Sequence, residues 1–157
     1  MFFDVFQLQP FLQLLLAALL GGLIGLEREY KRKEAGLKTF SLVSLGACFF
    51  TVVAIYLSSH PSYSASFVQV DPGRVIQAVA IGIGFIGSGL IIYRKFQVEG
   101  LTTAAALWAT AAIGIGVGVR LYFLAILGAF LTIGILAGFR LIEEKFFHKT
   151  PEKDYEG

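Results

Sequence analysis

The feature that most limits how this chain can fold is the length of its apolar segments. Residues 11–26, 40–57, 75–93, 103–119 and 121–141 form five runs almost free of charge. A water-soluble core does not need helices apolar over such lengths, whereas a helix that crosses a bilayer takes about 17–25 mostly apolar residues. The overall balance agrees. Hydrophobic residues make up 56% of the chain, the mean hydropathy is +0.74 and 15% of residues are charged, against about 25% in soluble chains. The expectation is an all-α, polytopic membrane helix bundle. Five transmembrane helices occupy residues 1–141, followed by a short charged cytoplasmic tail at 142–157.

Orientation follows from where the bases lie. The loops after the first and third runs, together with the tail, hold Arg28, Lys31, Arg32, Lys33, Lys38, Arg94, Lys95, Arg140, Lys145, Lys149 and Lys153. The opposite side holds Arg74 and Arg120, so the count is eleven against two. Basic residues concentrate in cytoplasmic loops, which places the N-terminus outside and the C-terminus in the cytoplasm. Tyr56, Tyr63, Tyr93 and Tyr122 fall near span ends, where amphipathic rings sit at the headgroup level. The opening MFFDVFQLQP has no base, unlike a cleaved leader, so the first run is expected to stay in the membrane. Pro10 suits the first turn of its helix.

The chain is organised around residues 21–39, GGLIGLEREYKRKEAGLKT, where an apolar run turns abruptly into acids and bases. A weaker version returns as GIGFIGSGLI at 82–91, then Arg94, Lys95 and Glu99-Gly100-Leu101-Thr102-Thr103. Gly22 and Gly25 match Gly84 and Gly87 at an offset of 62, and Gly36 and Thr39 match Gly100 and Thr103 at an offset of 64. This reads as a parallel two-hairpin internal repeat, spans 1–2 and 3–4, with both polar turns on one side of the membrane. Gly36 and Gly100 suit left-handed helix ends, and Thr39 and Thr103 suit N-caps. The two helix N-termini so formed attract anions or a carboxylate such as Glu27; equally, they make two well-capped hairpins.

Small residues recur at helical spacing. Gly21 and Gly25, Gly114 and Gly118, and Gly134 and Gly138 are pairs at i, i+4, and Ala80, Gly84 and Ser88 continue the pattern in the third run. Because lipid tails are as apolar as leucine, helices in a bilayer associate through close packing that small residues permit. With Gly82 and Gly89 on another side, the third helix is expected near the bundle centre. The string Gly82-Ile83-Gly84-Phe85-Ile86-Gly87 has a dinucleotide-fingerprint spacing, but that fingerprint requires a preceding strand and a loop at the glycines. Here the glycines belong to a membrane-spanning pattern.

Few residues point to chemistry. His60 and His148 fall on opposite sides, Cys48 is alone, and no His/Cys set has metal-ligand spacing. An enzyme, a resident cofactor and a nucleic-acid partner are therefore not expected. Glu27 lies about one turn inside the cytoplasmic boundary, where an ionisable group commonly faces the protein interior or a water-filled cavity. It is the candidate metal residue, since Mg²⁺ prefers carboxylates. The alternative is that Glu27–Lys31 and Glu29–Lys33, both i, i+4 pairs, simply extend the helix into the headgroups. The bases Arg28, Lys31, Arg32, Lys33 and Lys38 can attract anionic lipid headgroups, or serve only as the topology signal.

The stretches GGLIGLERE, AGLKTFSLVSLGA, GIGFIGSGLI and GLTTAAALWATAAIGIGVG, in this order over residues 14–136, resemble the MgtC/SapB family of bacterial membrane proteins. The family motif falls on Gly22, Gly25, Glu27, Arg28, Gly36, Thr39, Gly84, Gly87, Gly100, Thr102, Thr103 and Trp108. The resemblance implies a multi-pass inner-membrane domain linked to magnesium limitation and to stress or virulence adaptation. Where the family usually has Arg-Thr-His, this chain has Lys38-Thr39-Phe40. The chain looks like a short SapB-type member lacking the C-terminal ACT-like domain. Two functions follow as expectations. One is a non-enzymatic regulator of another membrane complex, with ATP synthase as the family-implied partner. The other is a small transporter of a cation such as Mg²⁺, or of an anionic solute, acting as a homodimer.

Overall fold

The computed structural model describes residues 2–59, 71–94 and 96–146, with side chains for 8–59, 71–94 and 96–138. Among these are five helices and one short hairpin: α1 (Phe2–Tyr30), α2 (Leu37–Ser59), α3 (Pro72–Ser88), β1 (Ile92–Arg94), β2 (Gln97–Glu99), α4 (Leu101–Gly118) and α5 (Tyr122–Phe146). Three segments are long and apolar enough to cross a membrane: Leu8–Tyr30, Leu37–Ser59 and Leu101–Gly118. Pro72–Ser88 and Tyr122–Gly138 are shorter apolar helices. His60 and Tyr63 in the loop, and His148 in the tail, lie outside the described residues.

Helix ends differ from expectation in instructive ways. α1 begins well before Pro10, so the proline lies inside the helix rather than in its first turn. The left-handed residue that ends α1 is Arg32 (φ 52°), not Gly36. Lys33 N–H donates to Arg28 O at 3.0 Å and Arg32 N–H to Glu29 O at 3.0 Å, the paired bonds that close a helix C-terminus around a left-handed residue. Thr39 is not an N-cap, because α2 has already begun at Leu37. The orphan amide of Leu37 is instead satisfied by Glu29, whose Oε2 accepts from it at 2.8 Å. Glu29 therefore does not pair with Lys33. Nor does Thr103 cap α4; Gly100 does, in a left-handed conformation (φ 86°) with no side-chain bond. A Cβ at Gly100 would also overlap the carbonyl oxygen of Leu90, so glycine is required there on two grounds.

The third apolar run is not one helix to Tyr93. α3 stops at Ser88, Leu90 N–H bonds back to Gly87 O at 3.1 Å, and the chain then extends into β1. The sequence change is local: after glycines comes Ile91-Ile92-Tyr93, a β-branched and aromatic triplet that favours a strand. The start of α3 is capped locally. Asp71 Oδ1 accepts from Gly73 N–H at 2.8 Å and Pro72 sits where its missing N–H costs nothing.

The centre of the bundle is α4 rather than α3; it packs against α1, α2, α3 and α5. Glycine sets how closely the helices approach. A Cβ at Gly21 would come 2.5 Å from Phe40 O, and one at Gly25 2.7 Å from Leu37 Cα, so α1 and α2 meet backbone to backbone. A Cβ at Gly114 would meet Ser44 O, and one at Gly118 would lie 2.7 Å from Thr51 Cβ, which seats α4 on α2. By contrast Gly82, Gly84, Gly134 and Gly138 face nothing within 4 Å among the described residues. The interior is rich in Ala17, Ala47, Ala106, Ala111 and Ala125, whereas Leu42, Phe85, Phe123, Phe130 and Leu131 point outward. Small residues inside and large apolar ones outside are what a lipid solvent favours. This is a helical membrane protein.

Candidate functional site

The C-terminal end of α1, the turn at residues 31–36 and the first turn of α4 meet at one place, and charge is buried there. Arg28, in the last turn of α1, has a side chain only 4% exposed. Its Nη2 donates to Thr103 Oγ1 at 2.7 Å. The Thr103 hydroxyl in turn donates to Glu34 Oε2 at 2.8 Å. Thr103 thus bridges a cation and an anion, using its one proton and one lone pair. The helix dipoles favour both charges: Arg28 lies at the negative end of α1, and Glu34 faces the positive end of α4. The Glu34 carboxyl is held below its usual range, first by a hydrogen bond from its own backbone and then by the Thr103 hydroxyl. Partial burial opposes this, and the charges of Lys33 and Arg28 add to it.

Beside this bridge lies Glu27, whose side chain is 11% exposed. Lys31 Nζ is 3.1 Å from its Oε1 and Arg28 Nη1 is 3.9 Å from its Oε2. Neither contact has hydrogen-bond alignment: both Glu27 oxygens and Arg28 Nε are buried without a hydrogen-bond partner. Proximity of charge, rather than a directed bond, holds this carboxylate. Such a pair is costly to break one side at a time, because the survivor is left as an uncompensated buried charge. Among the described residues there is no group of three or more His, Cys, Asp and Glu arranged to hold a metal.

The residues singled out from sequence do not all converge. Arg28, Glu27 and Thr103 come together here. Gly25 and Gly36 lie directly behind them, at the α1–α2 approach, where a Cβ on Gly36 would meet Glu29 Oε2 at 2.7 Å. Gly22 faces Ser41, and Gly87 faces Ala104 across the α3–α4 contact. Thr39 is half-buried in the first turn of α2. Thr102 and Trp108 are exposed on α4, and Gly84 is exposed on α3. Glu34, which the sequence offers only as one of four cytoplasmic-side carboxylates before the tail, with Glu27, Glu29 and Glu99, completes the Thr103 bridge. At the other end of α4, Gln13 Nε2 donates to Val117 O at 2.8 Å and Gly118 O at 3.1 Å, tying α1 to the last carbonyls of that helix.

Fold and site together define a compact α-helical membrane protein with an Arg–Thr–Glu bridge joining two helix termini. The chain belongs to the MgtC family, whose model matches residues 14–145. It is 38% identical to an uncharacterized protein of Haemophilus influenzae over 146 residues, 91% of this chain and 60% of that protein. It is 40% identical to Protein SrpB of Synechococcus elongatus over 139 residues, 83% of this chain and 75% of SrpB. With YhiD of Escherichia coli K12, whose name carries a provisional label as a magnesium transporter, identity is 39% over 88% of this chain and 64% of YhiD. The chain thus spans less than two thirds of the Haemophilus and Escherichia relatives. No solved structure matches it.

Proposed function

We propose that this protein is a non-enzymatic regulator in the bacterial inner membrane, crossing it five times with its C-terminus in the cytoplasm. It acts on another membrane complex during magnesium limitation or stress. ATP synthase is the candidate partner that the family resemblance implies. The observation that carries this reading is the closure of the α1–α2–α4 core by glycines at backbone contact. Three of the hydroxyls that a path would need turn back on their own helices instead, Thr51 to Ala47 O, Thr110 to Ala106 O and Thr132 to Gly128 O, each within 2.8 Å, whereas Ser44 Oγ is buried without a partner. A core packed in this way suits a protein that works through its surface. Purified protein in proteoliposomes should pass no Mg²⁺ beyond empty vesicles while a known magnesium channel does. Crosslinkers placed on α1 and α3 in native membranes should capture a partner complex, and capture of nothing beyond self-contacts would count against this reading.

A second reading is a dimeric transporter, favoured by the buried Glu27 oxygens that lack hydrogen bonds. A cation at Glu27 has to displace Lys31 and tolerate Arg28. Flux above empty vesicles that Glu27→Gln abolishes would replace the regulator with this reading.

A further inference from the structure

Between α3 and α4 the chain forms an antiparallel hairpin in which Ile92 faces Glu99, Tyr93 faces Val98 and Arg94 faces Gln97. Directly opposed residues share a face of a two-stranded sheet, and faces alternate along each strand. One face therefore carries Arg94, Gln97 and Glu99 beside Ile92; the other carries Tyr93 and Val98. The apolar face is uncovered: Tyr93 is 70% exposed, Val98 51% and Phe96, at the turn, 92%. Phe96 also holds a left-handed backbone conformation (φ 64°), one that favours glycine or asparagine. A two-stranded hairpin with nothing against its apolar face is marginal in water, so its surroundings must supply the cover.

We propose that this hairpin lies in the headgroup layer of the surrounding bilayer, with Tyr93, Val98 and Phe96 directed toward the acyl chains. Three observations point to lipid as the occupant. First, α3 has 17 residues, about 25 Å of helix, against a hydrocarbon core of about 30 Å. The chain therefore leaves α3 near the inner edge of that core and enters the hairpin at the interface. Second, large apolar side chains are also exposed in the segment that leads into the hairpin, Ile81, Phe85 and Ile86 on α3 and Ile91 beyond it. Third, Arg94 on the polar face lies on the same side of the membrane as the exposed bases Arg32, Lys33 and Lys38, a positive rim that complements lipid phosphates. Tyrosine and phenylalanine flanked by a base match the composition of membrane-interface anchors. Side membership and the depth at which α3 ends rest on the five-span reading, whereas the two faces of the hairpin do not.

The test is depth-dependent fluorescence quenching in proteoliposomes of the full chain. The single native tryptophan, Trp108, is removed as W108F, and an indole is placed by F96W or, separately, by Y93W. Lipids brominated near the glycerol end of the acyl chains should quench either indole more strongly than lipids brominated near the methyl end. Emission should be blue-shifted relative to free indole, and aqueous iodide should quench little. Efficient iodide quenching with no effect of brominated lipid at both positions puts the hairpin in water and overturns the proposal. Quenching by neither places the apolar face against protein, a second copy or another chain, and overturns it equally. Loss of a Mg²⁺ or partner phenotype plays no part in the readout, so the regulator reading can fail while this one stands.

Discussion

The two closures of the chain, residues 31–36 after α1 and 89–100 after α3, share a sequence plan and differ in almost every contact. In the first, the glycines before the closure are pressed against the next helix, a carboxylate from α1 caps α2, and a left-handed arginine ends the helix. In the second, Gly82 and Gly84 face outward, no side chain caps α4, and a β-hairpin intervenes. Yet the buried bridge uses one element from each: Arg28 and Glu34 from the first, Thr103 from the second. Glycine spacing alone therefore does not define a helix contact. What matters is whether the partner helix returns close behind the turn, and a short turn returns it where a hairpin swings it aside.

The threonines at the repeat offset separate the two halves most sharply. Thr103→Val keeps the shape but removes the hydroxyl that Arg28 and Glu34 share, leaving a buried guanidinium without its acceptor. The expected cost is about 2–3 kcal/mol, as for hydrogen bonds to charged groups, read as a loss of thermal stability in detergent. Thr39→Val should stay within about 0.5 kcal/mol, since the Thr39 hydroxyl makes no hydrogen bond among the described residues. Equal losses at the two positions would mean that the halves are energetically alike and would dissolve the contrast.

The glycines give the next largest difference. Gly25→Ala sets a methyl 2.7 Å from Leu37 Cα and 2.9 Å from Gly36 O, backbone atoms that yield only if α2 moves. Overpacking of this kind costs about 1–3 kcal/mol. Gly84→Ala, on α3, meets nothing within 4 Å among the described residues, and should gain up to about 1 kcal/mol from helix propensity. A loss at Gly84→Ala accompanied by dissociation of a captured partner would turn its open face into a contact surface, which sharpens the comparison.

A smaller effect concerns the cap. Glu29→Ala removes the acceptor for Leu37 N–H and should cost about 1 kcal/mol, as for lost helix caps. Glu99→Ala, in the exposed strand before α4, should cost within about 0.5 kcal/mol. Thermal unfolding of the two variants side by side checks this, and an equal loss would assign a hidden cap to the second closure.

Much of this architecture could be read from the residues, and the misses share a cause. The apolar runs located the five helices among the described residues because hydropathy is a property of each segment alone. The small pairs Gly21/Gly25 and Gly114/Gly118 pointed correctly to close crossings. The same spacing at Gly134/Gly138 and at Gly84 on α3 meets no partner among the described residues, because spacing describes one helix and packing requires two. Thr39 and Thr103 looked alike as N-caps because only local sequence was in view. Glu34 was legible only as a cytoplasmic-side carboxylate, because its partner is 69 positions away. The buried Arg28 was legible as an ionisable group at the edge of a span, but its acceptor was not. Ile92 and Tyr93 fall at the end of the third apolar run, expected as helix, because an apolar run does not by itself distinguish strand from helix, and residues 94–99 fall in the polar turn after it.

The smallest expected effect is a pH dependence confined to the bridge. Glu34 has its pKa lowered from 4.5 in the folded protein, chiefly by its own backbone N–H and then by the Thr103 hydroxyl. A lowered carboxyl pKa contributes stability that is fully present above the unfolded value and is lost as pH falls through the folded one. Stability should therefore hold from neutral pH down to about 5 and decline below that, with Glu34 supplying a modest share because the residue is largely exposed and solvent screens it. Glu34→Gln still accepts from Thr103 but does not titrate, so the difference between it and the parent chain should vanish in acid, reopen as pH rises through the lowered folded pKa, and be complete above 4.5. A constant difference across the whole range would show that the Glu34 charge adds nothing to the bridge. The contribution would then come from the geometry of the turn, and the second closure would be held to the first by Arg28 and Thr103 alone.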